Sequence, residues 1–120
     1  MIIGRTFHFD AAHYLPEYEG KCKNVHGHTW KVTIEVEGDI QDEGSHKGMV
    51  IDLSELKQGA DLVLGIWDHN VLNKLTELTP TCENLALIIA DRIQAYLSLN
   101  VKVKSVQVQE GEGGYARWER

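Results

Sequence analysis

Cys22-Lys23-Asn24-Val25-His26-Gly27-His28-Thr29-Trp30 is the stretch on which the fold turns. Side chains two residues apart on a strand point to the same face. Trp30, Val32, Ile34 and Val36 continue the parity of His26 and His28, while Lys31, Thr33, Glu35 and Glu37 take the other side. Both histidines therefore share the apolar face of a strand that runs to about Gly38 and look into the protein. Paired imidazoles in a dry wall are the start of a metal site. Cys22, just before the strand, is close enough to join in.

Working outward, Ile2 to Phe9 reads as a first strand with Ile3, Phe7 and Phe9 on one face, and extended geometry would carry Ala11 and His13 onto that face. If the two strands pair antiparallel, His13 meets His26 and His28, with the small residues Ala11 and Ala12 leaving room. Tyr14 to Val25, with Pro16 and Gly20, is then a long loop, a length usually kept for function. Past a polar turn region at Asp39 to Gly48, Asp52 is an N-cap with Glu55 three residues on. Leu53, Leu56, Ala60, Val63, Leu64 and Trp67 recur at helical spacing. Thr81 caps a second helix carrying Leu85, Ile88, Ile89, Ile93, Tyr96 and Leu97, with Glu83 in its first turn. Val101 and Val103 begin a further strand, but Val106 and Val108 continue it in the other parity, so a β-bulge is expected near Ser105. That slip puts Glu110 on the apolar face. A short last strand is expected around Tyr115. The order is that of an α+β protein, with residues 1–120 as a single domain.

The chain has 120 residues, 42% of them hydrophobic and 25% charged, enough for one real core. Its apolar runs are too short to span a bilayer and the N-terminus lacks a signal-peptide pattern, so no membrane association and a cytoplasmic location are expected. Cys22 and Cys82 alone read as free thiols, and no role is expected for Cys82. A net charge of −6 argues against nucleic acid as a partner, though not against a small anionic substrate.

Three histidines at one spot suit Zn²⁺ with an open fourth position; three surface histidines making hydrogen bonds are the plainer reading. Cys22 is a fourth ligand, a base or nucleophile beside a cation, or a small buried hydrophobe; spacing leaves these open. Asp68-His69 is either a functional pair or an ordinary polar helix end. A carboxylate on a buried face, as at Glu110, is paired or binds something.

The wider pattern resembles the 6-pyruvoyltetrahydropterin synthase family. The match runs through Phe7-His8-Phe9-Asp10-Ala11-Ala12-His13-Tyr14-Leu15-Pro16, Cys22-x-x-x-His26-Gly27-His28, Gly48-Met49-Val50-Ile51-Asp52-Leu53, Asp68-His69-Asn70-Val71-Leu72-Asn73, Pro80-Thr81-Cys82-Glu83-Asn84-Leu85-Ala86 and the strand ending at Glu110. It covers nearly the whole chain in order and is closest to the bacterial carboxy-type branch of queuosine biosynthesis.

The resemblance implies the tunnelling fold (T-fold): a four-stranded antiparallel sheet with two helices on one face, joined through trimers into a barrel and stacked as a homohexamer, which would also remove exposed sheet edges. It implies zinc on His13, His26 and His28, Cys22 as the catalytic cysteine, Asp68 and His69 as its acid–base partners from a neighbouring subunit, and Glu110, with Thr81 nearby, as the pterin anchor. The implied reaction is zinc-dependent conversion of 7,8-dihydroneopterin triphosphate to 6-carboxy-5,6,7,8-tetrahydropterin, acetaldehyde and triphosphate, a lyase reaction without a redox cofactor. A pyruvoyl-type synthase that keeps the side chain and a non-catalytic zinc- or pterin-binding protein are the alternatives. Trp67 and the glycine-rich Gly111-Glu112-Gly113-Gly114 depart from the family pattern and are expected to border the substrate. Lys21, Lys23 and Arg5 are the expected contacts of the triphosphate.

Overall fold

The computed structural model describes residues 1–120. Four strands, β1 (Ile2–His13), β2 (His26–Glu37), β3 (Lys102–Glu110) and β4 (Tyr115–Glu119), form one antiparallel sheet in chain order. Helices α1 (Leu53–Trp67) and α2 (Cys82–Tyr96) lie between β2 and β3 in sequence and pack on the sheet. The alternation along β2 has its expected result: Trp30, Val32, Ile34 and Val36 are fully buried. They belong to one apolar core with Val103, Val106 and Val108 of β3 and Leu56, Ala60, Leu85, Ile89 and Ile93 of the helices. Each large side chain so buried contributes about 1.5–3 kcal/mol.

The register is what brings the histidines together. β1 and β2 pair from Ile2↔Glu37 to His13↔His26, so Ala11 faces His28. Along β3 the pairing jumps from Glu35↔Ser105 to Val36↔Val103. The residue passed over is Lys104, next to the expected bulge position. The slip lets Val103 and Val106 both face the core and aims Glu110 to the same side as Val108. Trp30 pairs with Glu110, and the Trp30 indole N–H donates to the Ala11 carbonyl at 3.1 Å.

Both helices start as expected. Asp52 accepts from the Ser54 N–H at 2.8 Å and Thr81 from the Asn84 N–H at 3.2 Å. Gly59, which lowers intrinsic helix propensity, lies under the Tyr96 ring, where a Cβ would sit 2.7 Å from a ring carbon. After α1, Asn70 donates its side-chain amide to the Ile66 carbonyl at 2.9 Å. Residues 69–71 then run along the free edge of β1, with an isolated parallel bridge between Ala12 and Val71.

Trp67 does not border a substrate site as expected. It is 0% exposed and packs on Phe9, ring centroids 6.0 Å apart. Helical spacing put it on the core face of α1, and that face wins over its closeness in sequence to Asp68.

Candidate metal centre and active site

At the open end of the sheet, the ligand atoms of His13, His26, His28 and Glu110 all lie within 4.8 Å of one another. The three imidazoles stand edge to face, with centroids 4.6, 5.3 and 4.8 Å apart. His13, only 2% exposed, has its Nδ1 2.8 Å from the Pro80 carbonyl oxygen. His26 has its Nδ1 2.7 Å from the Asn24 carbonyl oxygen. A carbonyl only accepts, so in both rings Nδ1 carries the proton and Nε2 presents a lone pair. Outer partners of this kind fix the ring orientation of metal-ligating histidines.

The Nε2 atoms of His13 and His28 are buried without a hydrogen-bond partner. Glu110 Oε1 approaches them to 3.7 and 2.6 Å, although the shorter contact lacks hydrogen-bond geometry. Orphaned buried nitrogens cost about 1–3 kcal/mol each. Burial, followed by repulsion from His13 and His26 and against the pull of Glu110, holds the His28 ring below its ordinary pKa, in the form that binds a metal. Three convergent nitrogens and a carboxylate fit a metal ion of the zinc type.

Glu110 also borders a second neighbour that the sequence did not flag. The Cys82 thiol, at the first turn of α2, lies 3.9 Å from Glu110 Oε2. Burial, with the Glu110 charge adding to it, pushes the thiol up to about 11, so Cys82 stays protonated. Cys82, Glu110, His28 and the turn Gly111–Gly114 line a cavity of about 530 Å³. The glycine-rich departure therefore does border the site. Gly111, at φ +56°, starts the turn in a conformation that favours glycine, and its N–H returns to the Thr29 carbonyl at 2.9 Å. Thr81 caps α2 and does not line this cavity.

Cys22 sits half-buried on a short 3₁₀ turn, Lys21–Lys23, outside the histidine cluster. Its carbonyl accepts from the Leu15 N–H at 2.8 Å, tying the long loop together. Asn73 fastens the start of the same loop, accepting from Tyr14 N–H at 3.0 Å and donating to Tyr14 O at 2.8 Å. Of the expected phosphate contacts, Lys21 and Lys23 flank Cys22, whereas Arg5 points to the Leu53 carbonyl at the start of α1, at 3.4 Å.

Asp68 and His69 form a tight pair: Asp68 Oδ2 is 2.8 Å from His69 Nδ1. A carboxylate only accepts, so Nδ1 holds the proton and Nε2 is left to exchange one. The hydrogen bond that His69 donates to Asp68 holds the ring above its ordinary pKa, and the Asp10 N–H foremost holds Asp68 below its own. His69 has φ +61°, the one non-glycine residue in the left-handed region, at a cost of about 1–2 kcal/mol. It lines a cavity of about 700 Å³ shared with Asp10, His28, Thr29, Asn70 and Lys74. Sequence reasoning missed Asp10, Thr29 and Lys74. Asp10 and Thr29 were findable, because pairing His13 with His26 also sets them opposite each other.

The model of the 6-pyruvoyl tetrahydropterin synthase family matches residues 2–120. The chain belongs to that family. It is 39% identical over 115 residues to the 6-carboxy-5,6,7,8-tetrahydropterin synthase of Bacillus subtilis, covering 88% of this chain and 75% of that one. Further relatives carry the same carboxy-type name. It is also 41% identical over 103 residues to the dihydroneopterin monophosphate aldolase of Pyrococcus furiosus, covering 86% and 83%. Among solved structures, the 6-pyruvoyl tetrahydropterin synthase of Caenorhabditis elegans superposes with a TM-score of 0.85 at 27% identity, over 100% of this chain and 95% of that one. The family's fold and the sheet-and-two-helix architecture described above agree.

Proposed function

We propose that this chain is a zinc-dependent lyase that converts 7,8-dihydroneopterin triphosphate and one water to 6-carboxy-5,6,7,8-tetrahydropterin, acetaldehyde and triphosphate, the carboxy-type reaction of queuosine biosynthesis. The observation that carries the reading is the convergence of His13, His26 and His28, whose ligand nitrogens lie within 4.8 Å of one another and of a Glu110 carboxylate oxygen. The carboxy-type names of several relatives support the same choice.

His13, His26 and His28 would hold the zinc, which when bound supplies Lewis-acid polarisation of the substrate side chain. The chain's own residues do the rest. Glu110 accepts the two N–H groups of the amino-pyrimidine edge, a bidentate fit for a carboxylate; to do so it turns from the histidines toward the glycine-rich cavity. Cys22, outside the ligand set, takes a proton from the substrate side chain. His69 Nε2 moves a proton in turn, with Asp68 holding the ring in the right tautomer. In the assembled form, a homohexamer built through the β1 and β4 edges, Asp68 and His69 would serve the histidine site of a neighbouring subunit.

Incubation of the zinc-loaded protein with dihydroneopterin triphosphate, followed by mass identification of the pterin product, tests the reading. A carboxyl group at the pterin 6-position is the expected result. A pyruvoyl side chain would move the chain to the pyruvoyl type. Turnover only of the monophosphate ester would favour the second reading, an aldolase, which the Pyrococcus furiosus relative raises.

A further inference from the structure

Asp10 stands on the outer face of β1, directly opposite Thr29 on β2. The Thr29 hydroxyl donates to Asp10 Oδ1 at 2.5 Å, which removes the carboxylate's freedom to rotate. The main chain of the same residue grips the turn after α1 at two points. The Asp10 N–H donates to Asp68 Oδ1 at 2.9 Å, and the Asp10 carbonyl accepts from the His69 N–H at 2.6 Å. The second of these bonds holds a left-handed residue that is not glycine, a conformation that persists only when its surroundings impose it. As a result the polar atoms of Asp10, Asp68 and His69 gather within 4.8 Å of one another.

We propose that Asp10 and Thr29 are positioning residues for the Asp68–His69 pair: they fix the turn that presents His69 Nε2 and hold a second carboxylate against the ring. The inference rests on the reading of His69 as a proton-transfer group. The groups facing His69 are Asp68 from the end of α1, Asp10 from β1, Lys74 from the short helix that follows, and His28 from β2, the last two through the shared cavity. Only Asp68 pairs with it. Asp10 acts in the same direction as Asp68, favouring the protonated ring. Because His69 is 78% exposed, solvent weakens charge effects that are not held at fixed geometry. The Thr29 hydroxyl supplies that fixity.

Asp10→Asn keeps the volume, the acceptor oxygen and both main-chain bonds while removing the charge. Thr29→Val removes the hydroxyl and keeps the branched shape that suits a strand, and Thr29→Ser restores the donor. The test is the NMR titration of the His69 ring in the full-length protein, with His69→Gln identifying its resonance. It is read beside the pH profiles of kcat and KM on dihydroneopterin triphosphate. The expected result is a lower His69 midpoint in Asp10→Asn, with the matching limb of the kcat profile moving to lower pH in step. Thr29→Val should lose roughly ten- to a hundredfold in kcat at unchanged KM, the usual effect of a misplaced catalytic group, and Thr29→Ser should recover it. An unmoved His69 midpoint in Asp10→Asn, or full kcat in Thr29→Val, overturns the proposal. The titration needs no substrate, so it decides the role of Asp10 even if the unaltered protein fails to turn over the triphosphate, a failure that would count against the functional reading instead.

Discussion

His13 Nδ1 lies 2.8 Å from the carbonyl oxygen of Pro80, the residue that precedes the Thr81 cap of α2. This contact sets the tautomer of a buried ring and aims its Nε2 at His26 and His28. The start of α2 thus orients a candidate ligand on β1, and the candidate metal centre is built by tertiary structure as much as by the His-Gly-His motif.

The protein should therefore bind about one zinc per chain. His28→Ala should empty the site and leave the fold intact, because the apolar core lies beneath the helices and contains none of these histidines. Elemental analysis checks this, and full zinc in the His28→Ala protein would remove His28 from the ligand set.

Acid should release the metal and weaken the metal-free protein together. Burial depresses the His28 pKa, so below about pH 6.5 the unfolded chain takes up a proton that the folded chain resists. Stability then rises with pH and is lost as pH falls below that value. His69, raised instead, acts in the opposite sense, but it is exposed and screened. Denaturant midpoints of the metal-free protein should fall between pH 7.5 and 5.5, and by less in His28→Gln; equal falls would contradict the assignment.

Cys22 competes between two roles. A ligand would carry the metal away with it when replaced, whereas a proton acceptor would affect mainly the chemical step. Its place outside the histidine cluster favours the second. Cys22→Ala should keep its zinc and its pterin affinity while losing roughly 10²–10⁴-fold in turnover. Zinc lost in step with activity would make Cys22 a ligand.

Much of this was legible in the sequence because period-two alternation is strong in β2. Trp30 to Val36 set the buried face, and the parity of His26, His28 and, after the slip expected near Ser105 and found at Lys104, Glu110 followed. The place of Asp10 was legible only in part: strand pairing sets its side chain opposite Thr29, but its main-chain bonds to Asp68 and His69 use groups that every residue has. The contact of Cys82 with Glu110 was not legible, because it arises only where α2 packs on β3. Trp67 misled for a related reason: neighbours in sequence at a helix end diverge, and Asp68 leaves the core that Trp67 enters.

Trp67 should accordingly matter to stability and not to substrate choice. Trp67→Ala should cost about 3–5 kcal/mol, as large aromatic truncations in cores do. Trp67→Phe should cost much less, since the indole N–H is buried without a partner and its loss offsets some of the lost packing. Thermal denaturation and relative turnover of substrate analogues check both; altered substrate preference in Trp67→Phe would return this residue to the site.

The central claim, side-chain cleavage by a zinc-loaded carboxy-type synthase, is tested most directly by the acetaldehyde released per triphosphate from dihydroneopterin triphosphate. The account predicts one acetaldehyde for each triphosphate, with both lost in Cys22→Ala. Triphosphate released without acetaldehyde would contradict it.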